Sequence, residues 1–316
     1  MNTGTLRIIA RKLLGRRGTF LLRNTLSEIY FRLGLVPPSS RLGRDKCISA
    51  MVCTYNDPDW LEPSLLSIKD LVHEYIVIDS STDETPQIIE NLRREHGLNI
   101  RMFKIPPGDL VRARNLGLEK SSCKWILIWD ADFVAKEEMA SILRGLLDRL
   151  DKDRYYLVYW PHIALCGDPY HLCPNPLHIE HWLFTWSPKL AYRWVGKNEC
   201  LIAPLYMYKA VLINKPLSFH LAGVRKPERY AFKRIWWMFR EEFNKLGISG
   251  ASHEELWNLA RKKAKEVYGT DDLYELGVRL LKDVVSRLKP YDTNLYGPLP
   301  RILREYLKKR EWPAYV

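Results

Sequence analysis

The sequence predicts an α/β fold: a mostly parallel sheet flanked by helices, preceded by an N-terminal helix and followed by a C-terminal helical extension. Three observations predict it. Between residues 47 and 132 four short apolar runs alternate with three helical segments, the pattern of a parallel sheet with crossover helices. The apolar runs end in polar or acidic residues, at the strand ends where such sheets bind ligands. After residue 226 the composition turns to amphipathic helix.

Cys47–Tyr55 is a short apolar run ending in turn residues, hence a buried strand. Pro58–Leu71 is expected as a helix, and Tyr75–Asp79 as a second strand ending at a carboxylate. Thr85-Pro86 starts a helix, with Thr as cap and Pro at the first helical position, and Gly97 follows its end. Ile100–Ile105 is a third strand, and Asp109 caps a helix running to about Lys120. Trp125–Trp129 is a fourth strand that stops at Asp130-Ala131-Asp132. Residues 155–225 are less regular and rich in Trp, Tyr, His and Pro. Arg229–Leu246, Glu254–Tyr268 and Leu273–Leu288 follow as amphipathic helices, and Pro290, Pro298 and Pro300 precede a last basic helix near Arg301–Arg310.

The chain has 316 residues, 47% hydrophobic and 27% charged, which supports a full core and excludes wholesale disorder. Its longest apolar candidate, Tyr155–Gly167, contains Pro161 and His162 and falls short of the roughly 18 residues of a membrane span. Any membrane contact is therefore expected to be peripheral. The net charge of +12 is uneven: residues 1–46 carry +8, 47–225 carry −2 and 226–316 carry +6. Basic flanks suit nucleic acid, an anionic membrane surface or an acidic partner. No nucleic-acid motif is visible and the centre is not basic, so no nucleic acid is expected as partner. Leu6, Ile8, Ile9, Leu13 and Leu14 interleave with Arg7, Arg11, Lys12, Arg16 and Arg17, too often broken by charge for a secretory signal. That segment suits a basic amphipathic helix on a membrane surface, an organelle transit peptide, or a helix packed on the core. Six cysteines are too sparse for a disulfide scaffold. Cys53 and Cys123 are expected as small core residues in a reducing cytoplasm, on the inner face of a membrane if attached; a hyperthermophile source would permit disulfides there.

Two carboxylates separated by one small residue at a strand end, Asp130-Ala131-Asp132, can reach one divalent cation and a ribose. Hard oxygen ligands suit Mg²⁺ or Mn²⁺ bridging to phosphates. With this motif stand Val52-Cys53-Thr54-Tyr55-Asn56, Val77-Ile78-Asp79-Ser80-Ser81-Thr82-Asp83-Glu84-Thr85 and Arg112-Ala113-Arg114-Asn115-Leu116-Gly117. In this order and spacing they resemble a family 2 glycosyltransferase of the GT-A fold, over about residues 47–225.

The resemblance implies a catalytic domain at 47–225, with a nucleotide-sugar half (47–132) and an acceptor half (133–225), between a basic N-terminal segment (1–46) and a basic helical region (226–316). It implies Thr54, Tyr55, Asn56, Asp79, Asp83, Arg112 and Asp130 at the donor nucleotide, a diphosphate sugar of the UDP or GDP type. It implies Asp130 and Asp132 as ligands of the metal. Arg193-Trp194-Val195-Gly196-Lys197-Asn198-Glu199 resembles a segment of one branch of the family, with Asn198 where that branch often has His. Glu199 then falls at the acceptor-side acid, the expected general base of an inverting transfer. Phe219-His220 resembles a late His completing metal coordination, which suits Mn²⁺.

Asp168 is a second candidate base. His162, Cys166, His171, Cys173, His178 and His181 fall within 20 residues and suggest either a zinc site or a wall for a glycan, lipid-linked or protein acceptor. Trp236, Trp237, Met238, Phe239 and Phe243 suggest core or an interfacial aromatic edge. Two other functions remain: a nucleotidyltransferase of similar fold, whose Gly-rich phosphate loop the first strand lacks, and a non-catalytic basic scaffold or nucleic-acid-binding protein.

Overall fold

The computed structural model describes residues 3–196 and 198–310, and their side chains except those of residues 3–14, 16 and 222. The chain begins with helix α1 (Thr3–Arg32), broken at Gly15, whose φ of 62° is open to glycine at little cost. Then come β1 (Ile48–Thr54), α2 (Leu61–Ser67), β2 (Glu74–Asp79), α3 (Thr85–Glu95), β3 (Ile100–Lys104), α4 (Leu110–Lys120), β4 (Trp125–Ile128), β5 (Phe133–Ala135) and α5 (Met139–Leu147). The second half holds β6 (Tyr155–Gly167), β7 (His171–Thr185), β8 (Ala191–Val195), β9 (Asn198–Ile202), β10 (Tyr208–Leu212) and β11 (Ser218–Val224). It closes with α6 (Pro227–Met238), α7 (Arg240–Ile248), α8 (His253–Tyr268), α9 (Leu273–Val285), β12 (Lys289–Pro290), α10 (Thr293–Tyr296) and α11 (Arg301–Arg310).

Among the described residues one large sheet runs β3-β2-β1-β4-β7-β6-β11-β5, with β10 paired to β6 and β12 to β7. β3, β2, β1 and β4 are parallel, and β7 enters antiparallel between β4 and β6. β1, β2 and β4 are buried along almost their whole length and mostly apolar because both faces are covered. Leu61, Leu65, Ile89, Leu92, Met139 and Leu143 cover one face from α2, α3 and α5. Ala113 and Leu118 of α4 cover the other. The chain moves outward from β1 to β2 and β3, then returns to lay β4 on the other side of β1. The carboxyl ends of β1 and β4 therefore flank a topological switch point, the crevice where such sheets bind ligands.

Several local expectations are corrected. The less regular stretch holds the two longest strands, of 13 and 15 residues. β6 lies inside the sheet, so its near-continuous apolar run is strand rather than a short membrane candidate. The helix expected at 58–71 is confined to Leu61–Ser67. The helix expected at 229–246 is two, α6 and α7, parted at Phe239. Cys123 is not a free core thiol: it pairs with Cys47, and Cys166 pairs with Cys173. The latter bridge takes both cysteines from the zinc alternative, and no group of three or more metal-binding side chains forms among the described residues. No helix there is long and apolar enough to cross a membrane.

α6 and α9 cross closely because Gly277 has no side chain; a Cβ there would sit 1.9 Å from the Pro227 carbonyl oxygen. α8 starts in a capping box between Ser252 and Glu255. These helices bury Phe232, Ile235, Phe243, Leu256 and Leu276 in a core of their own, with Tyr55 packed against it. Full burial of one such side chain contributes about 2–3 kcal/mol. The core thus fastens the C-terminal helices over the end of β1.

Candidate active site

A cavity of about 490 Å³ opens at the switch point. Thr54 and Tyr55 come from the end of β1, Ser80 from the end of β2, and Asp130, Ala131 and Asp132 from the end of β4. Glu199 enters from β9, His220 from β11, and Lys233, Trp236, Trp237 and Arg240 from α6 and α7.

Each carboxylate of the Asp-x-Asp pair carries a guanidinium. Arg114 on α4, itself buried, donates from Nη2 to Asp130 Oδ1 at 2.7 Å. Arg225, just past β11, donates to Asp132 Oδ2 at 3.1 Å and from its other nitrogen to Asp57 Oδ1. Lys233 Nζ lies 3.7 Å from Asp57 Oδ2 and donates to the Tyr55 carbonyl at 3.2 Å. Burial pushes the Asp57 carboxyl up, but Arg225 and Lys233 outweigh it and hold it below the usual range. Burial dominates at Asp132 and raises it, against the pull of His220 and Arg225. Burial likewise lowers the Lys233 ammonium, with Asp57 opposing. His220 Nε2 stands 3.5 Å from Asp132 Oδ1.

Asp130 Oδ2 and Asp132 Oδ1 are the carboxylate oxygens not held by these guanidinium groups. A Mg²⁺- or Mn²⁺-like cation needs only one or two carboxylates, with water and phosphate oxygens completing its shell. The donor set fits such a cation, and a three-residue protein cage is not needed for it.

The β8–β9 hairpin brings Glu199 to the cavity opposite its cross-strand partner Trp194. Asn115 on α4 fastens this hairpin, accepting from Tyr192 N–H at 2.7 Å and donating to its carbonyl at 3.0 Å. Arg240 lies 5.8 Å from the Trp194 ring centre and 5.5 Å from that of Trp237, both exposed aromatics. Trp236 and Trp237 thus line the cavity mouth.

A second cavity, about 870 Å³, lies on the other side of Glu199 and shares Arg114, Asp130, Glu199 and His220 with the first. Its wall carries His162, Trp182 and the triplet His178, Glu180, His181. Glu180 sits 3.5 Å from His178 and 3.3 Å from His181; burial would raise its carboxyl, but the two imidazoles hold it well below the usual range. His162 is buried between Phe133, Trp182 and His220, and burial lowers its imidazole to about 2, with His220 and His178 adding to the shift.

Of the expected site residues, Thr54, Tyr55, Asp130, Asp132, Glu199 and His220 meet at the first cavity. Asn56, Asp79, Asp83 and Arg112 do not line it. Asn56, at φ 52°, accepts from Thr82 N–H at 2.9 Å and so anchors the loop after β2. Asp79 accepts from Ser81 N–H at 3.0 Å, leaving its buried Oδ2 without a hydrogen-bond partner. Asp83 turns to Arg229 at 2.7 Å and to Thr85 N–H. Arg112 is exposed, while Arg114 two residues on enters the site. Asp168 is buried in the β6–β7 turn, bonded to His171 and Tyr170 N–H and apart from both cavities. Sequence reasoning missed Arg225, the last residue of the near-neutral middle, and Lys233 and Arg240, which it counted as charge on a basic flank; only the spacing of Arg225 five residues after His220 hinted at a strand-end position.

The family model of Glycosyl transferase family 2 matches residues 49–214, a little over half of the chain, and the protein belongs to that family. Its mostly parallel sheet flanked by helices is the GT-A type of α/β fold expected from the sequence. An uncharacterized glycosyltransferase of Rickettsia bellii (strain RML369-C) is 28% identical over 123 residues, 38% of this chain and 17% of that relative's length. Among solved structures, S. aureus TarS 1–349 in complex with UDP-GlcNAc matches at 14% identity and a TM-score of 0.41, over 76% of this chain and 72% of that one. The mannosyltransferase PcManGT from Pyrobaculum calidifontis, in complex with GDP-Man and Mn²⁺, matches at 13% identity and a TM-score of 0.40, over 94% and 93%.

Proposed function

We propose that the protein moves a sugar from a UDP- or GDP-type nucleotide sugar to a glycan, lipid-linked or protein acceptor, with inversion and with Mn²⁺ or Mg²⁺. The observation that carries this reading is the pair of cavities meeting at Asp130, Glu199 and His220. One is lined by strand-end acids and cations suited to a nucleoside diphosphate. The other has the aromatic, imidazole and carboxylate wall that suits hydroxyl-rich acceptors.

Asp130, Asp132 and His220 would hold the metal, which supplies charge neutralisation for the departing diphosphate. Arg114 and Arg225 fix the two carboxylates, so their outer oxygens face the donor. Lys233 and Arg240 add positive charge along the diphosphate's path. Thr54 and Tyr55 contact the nucleoside, with Asn56, Asp79 and Asp83 shaping the loop behind it; Arg114 takes the role first expected of Arg112. Glu199 accepts the proton of the attacking acceptor hydroxyl from the second cavity. Residues 47–225 form the catalytic unit, and 226–316 complete its donor wall. Cytoplasmic placement is part of this proposal, in a compartment that tolerates the two disulfides.

The test is incubation with UDP-, GDP-, CDP- and dTDP-sugars, with and without Mn²⁺ or Mg²⁺, for the wild type and Asp132→Ala. Metal-dependent release of one nucleoside diphosphate, lost in the variant, is expected. Equal release without metal would overturn the role given to Asp130 and Asp132.

A further inference from the structure

The second half of α1 is amphipathic in the opposite sense to an ordinary surface helix. The face toward the protein is polar at its centre. Arg23 and Ser27 are buried there, Ser27 Oγ donates to the Met207 carbonyl at 3.1 Å, and Asn24 exchanges hydrogen bonds with Ala210. Glu28, the only acid in α1, is bound by Arg154, Lys209 and Arg32. The face toward solvent carries Leu21, Leu22 and Ile29 beside exposed Thr25 and Arg32, and Leu33 and Leu35 continue the apolar row past the helix end. Leu21 is 70% exposed and Leu33 66%. Among the described residues, five of the sixteen exposed large hydrophobics fall in these fifteen positions, so the apolar surface is gathered rather than scattered.

We propose that this face of α1 docks on an anionic lipid surface, with the helix lying along the membrane plane. Charge selects this occupant. α1 carries seven Lys and Arg against the single Glu28; exposed Arg17 precedes the apolar row and exposed Arg32 lies within it. Two copies meeting through this face would bring two such cationic helices together, whereas anionic headgroups complement them. Phe20 of α1 packs on Tyr159 at 4.6 Å, and Tyr159 packs on His181 at 5.6 Å, in the wall of the second cavity. Through its inward side α1 thus stands beside that cavity. On the sugar-transfer reading, which this last step rests on, the acceptor it presents is anchored in the same membrane.

The experiment is co-sedimentation of the full chain with phosphatidylcholine vesicles, with and without phosphatidylglycerol, and with added salt. It compares the wild type with a variant carrying Leu21→Ser, Ile29→Ser and Leu33→Ser, each at an exposed position. The expected result is salt-sensitive binding to the anionic vesicles only, weakened about tenfold or more in the variant. The variant should keep the wild-type melting temperature and oligomeric state. Absence of binding, equal binding by the variant, or equal binding to neutral vesicles would each overturn the proposal. So would a wild-type oligomer that the variant dissolves, since a second copy would then cover the face. None of these readouts uses donor turnover, so failure of the docking face is distinguishable from failure of the sugar-transfer reading.

Discussion

Replacing Arg225 with Met keeps the length of the side chain and removes the fork that holds Asp57 and Asp132. All three side chains are nearly buried, at 6%, 11% and 8% exposure, so water screens little of the loss. Removing one partner of a buried ion pair costs about 3–5 kcal/mol, because the remaining charge is left uncompensated. Lys233 stays near Asp57 and softens the penalty, which places the expected cost at about 3 kcal/mol. For a chain of 316 residues, with an unfolding entropy of roughly 0.7 kcal/mol/K, that lowers the melting temperature by roughly 4–5 °C. The deficit has a characteristic pH dependence. Without the guanidinium, the folded-state pKa values of both carboxylates rise, so the folded variant binds protons that its unfolded chain releases. Its deficit is therefore full at neutral pH and shrinks as the pH falls toward about 4. Adding Asp57→Asn to Arg225→Met should recover part of the loss. Urea midpoints for the three proteins at neutral pH and at about pH 5 measure this. A loss below about 1 kcal/mol, a deficit that grows in acid, or no recovery in the double variant would refute the reasoning.

His162 stays neutral when folded down to about pH 2, whereas an unfolded histidine protonates near 6.5. Its contribution is full above 6.5 and is lost as the pH falls below it, amounting to about 2–3 kcal/mol by about pH 4.5. His162→Gln should flatten that part of the wild-type profile in denaturant titrations, and parallel profiles would exclude the effect. Reducing Cys47–Cys123, which closes 76 residues, should cost about 4 kcal/mol by loop entropy, and melting the Cys47→Ser/Cys123→Ser pair against wild type measures it. Gly277→Ala drives a Cβ into the Pro227 carbonyl oxygen and should cost about 1–3 kcal/mol or more, seen as a lowered melting temperature; an unchanged one would mean α6 and α9 can part freely.

The first half of the fold was legible because parallel strands buried on both faces leave continuous apolar runs, and Asp79 and Asp130 marked where two of them end. Asp109 capped its helix as its residue type suggests, accepting from Arg112 N–H at 2.9 Å. The second half was not, since β6 and β7 carry His162, Pro161, Pro174 and Pro176 inside paired strands and so break the apolar pattern. The break at Phe239 has neither Pro nor Gly to announce it. The Cys47–Cys123 bridge follows from the β1–β4 register, in which Ile48 faces Trp125, and register is not visible in a strand read alone. In the site, residues at strand ends were found and those reaching in from afar were missed. Arg225 meets Asp57 across 168 positions, and nothing local distinguishes it from a surface arginine. Asn56 and Asp79 carry the motif yet bond to the loop behind the cavity, and Asp83 turns to Arg229 of α6.

The central claim is that Glu199 works at the junction of a donor cavity and an acceptor cavity. The most direct measurement compares Glu199→Gln with wild type in two readouts: donor affinity by calorimetry and the rate of sugar transfer to an acceptor. The account predicts unchanged donor affinity and transfer slowed about 10²–10⁴-fold. Transfer at the wild-type rate, or loss of donor binding along with it, would contradict the assignment.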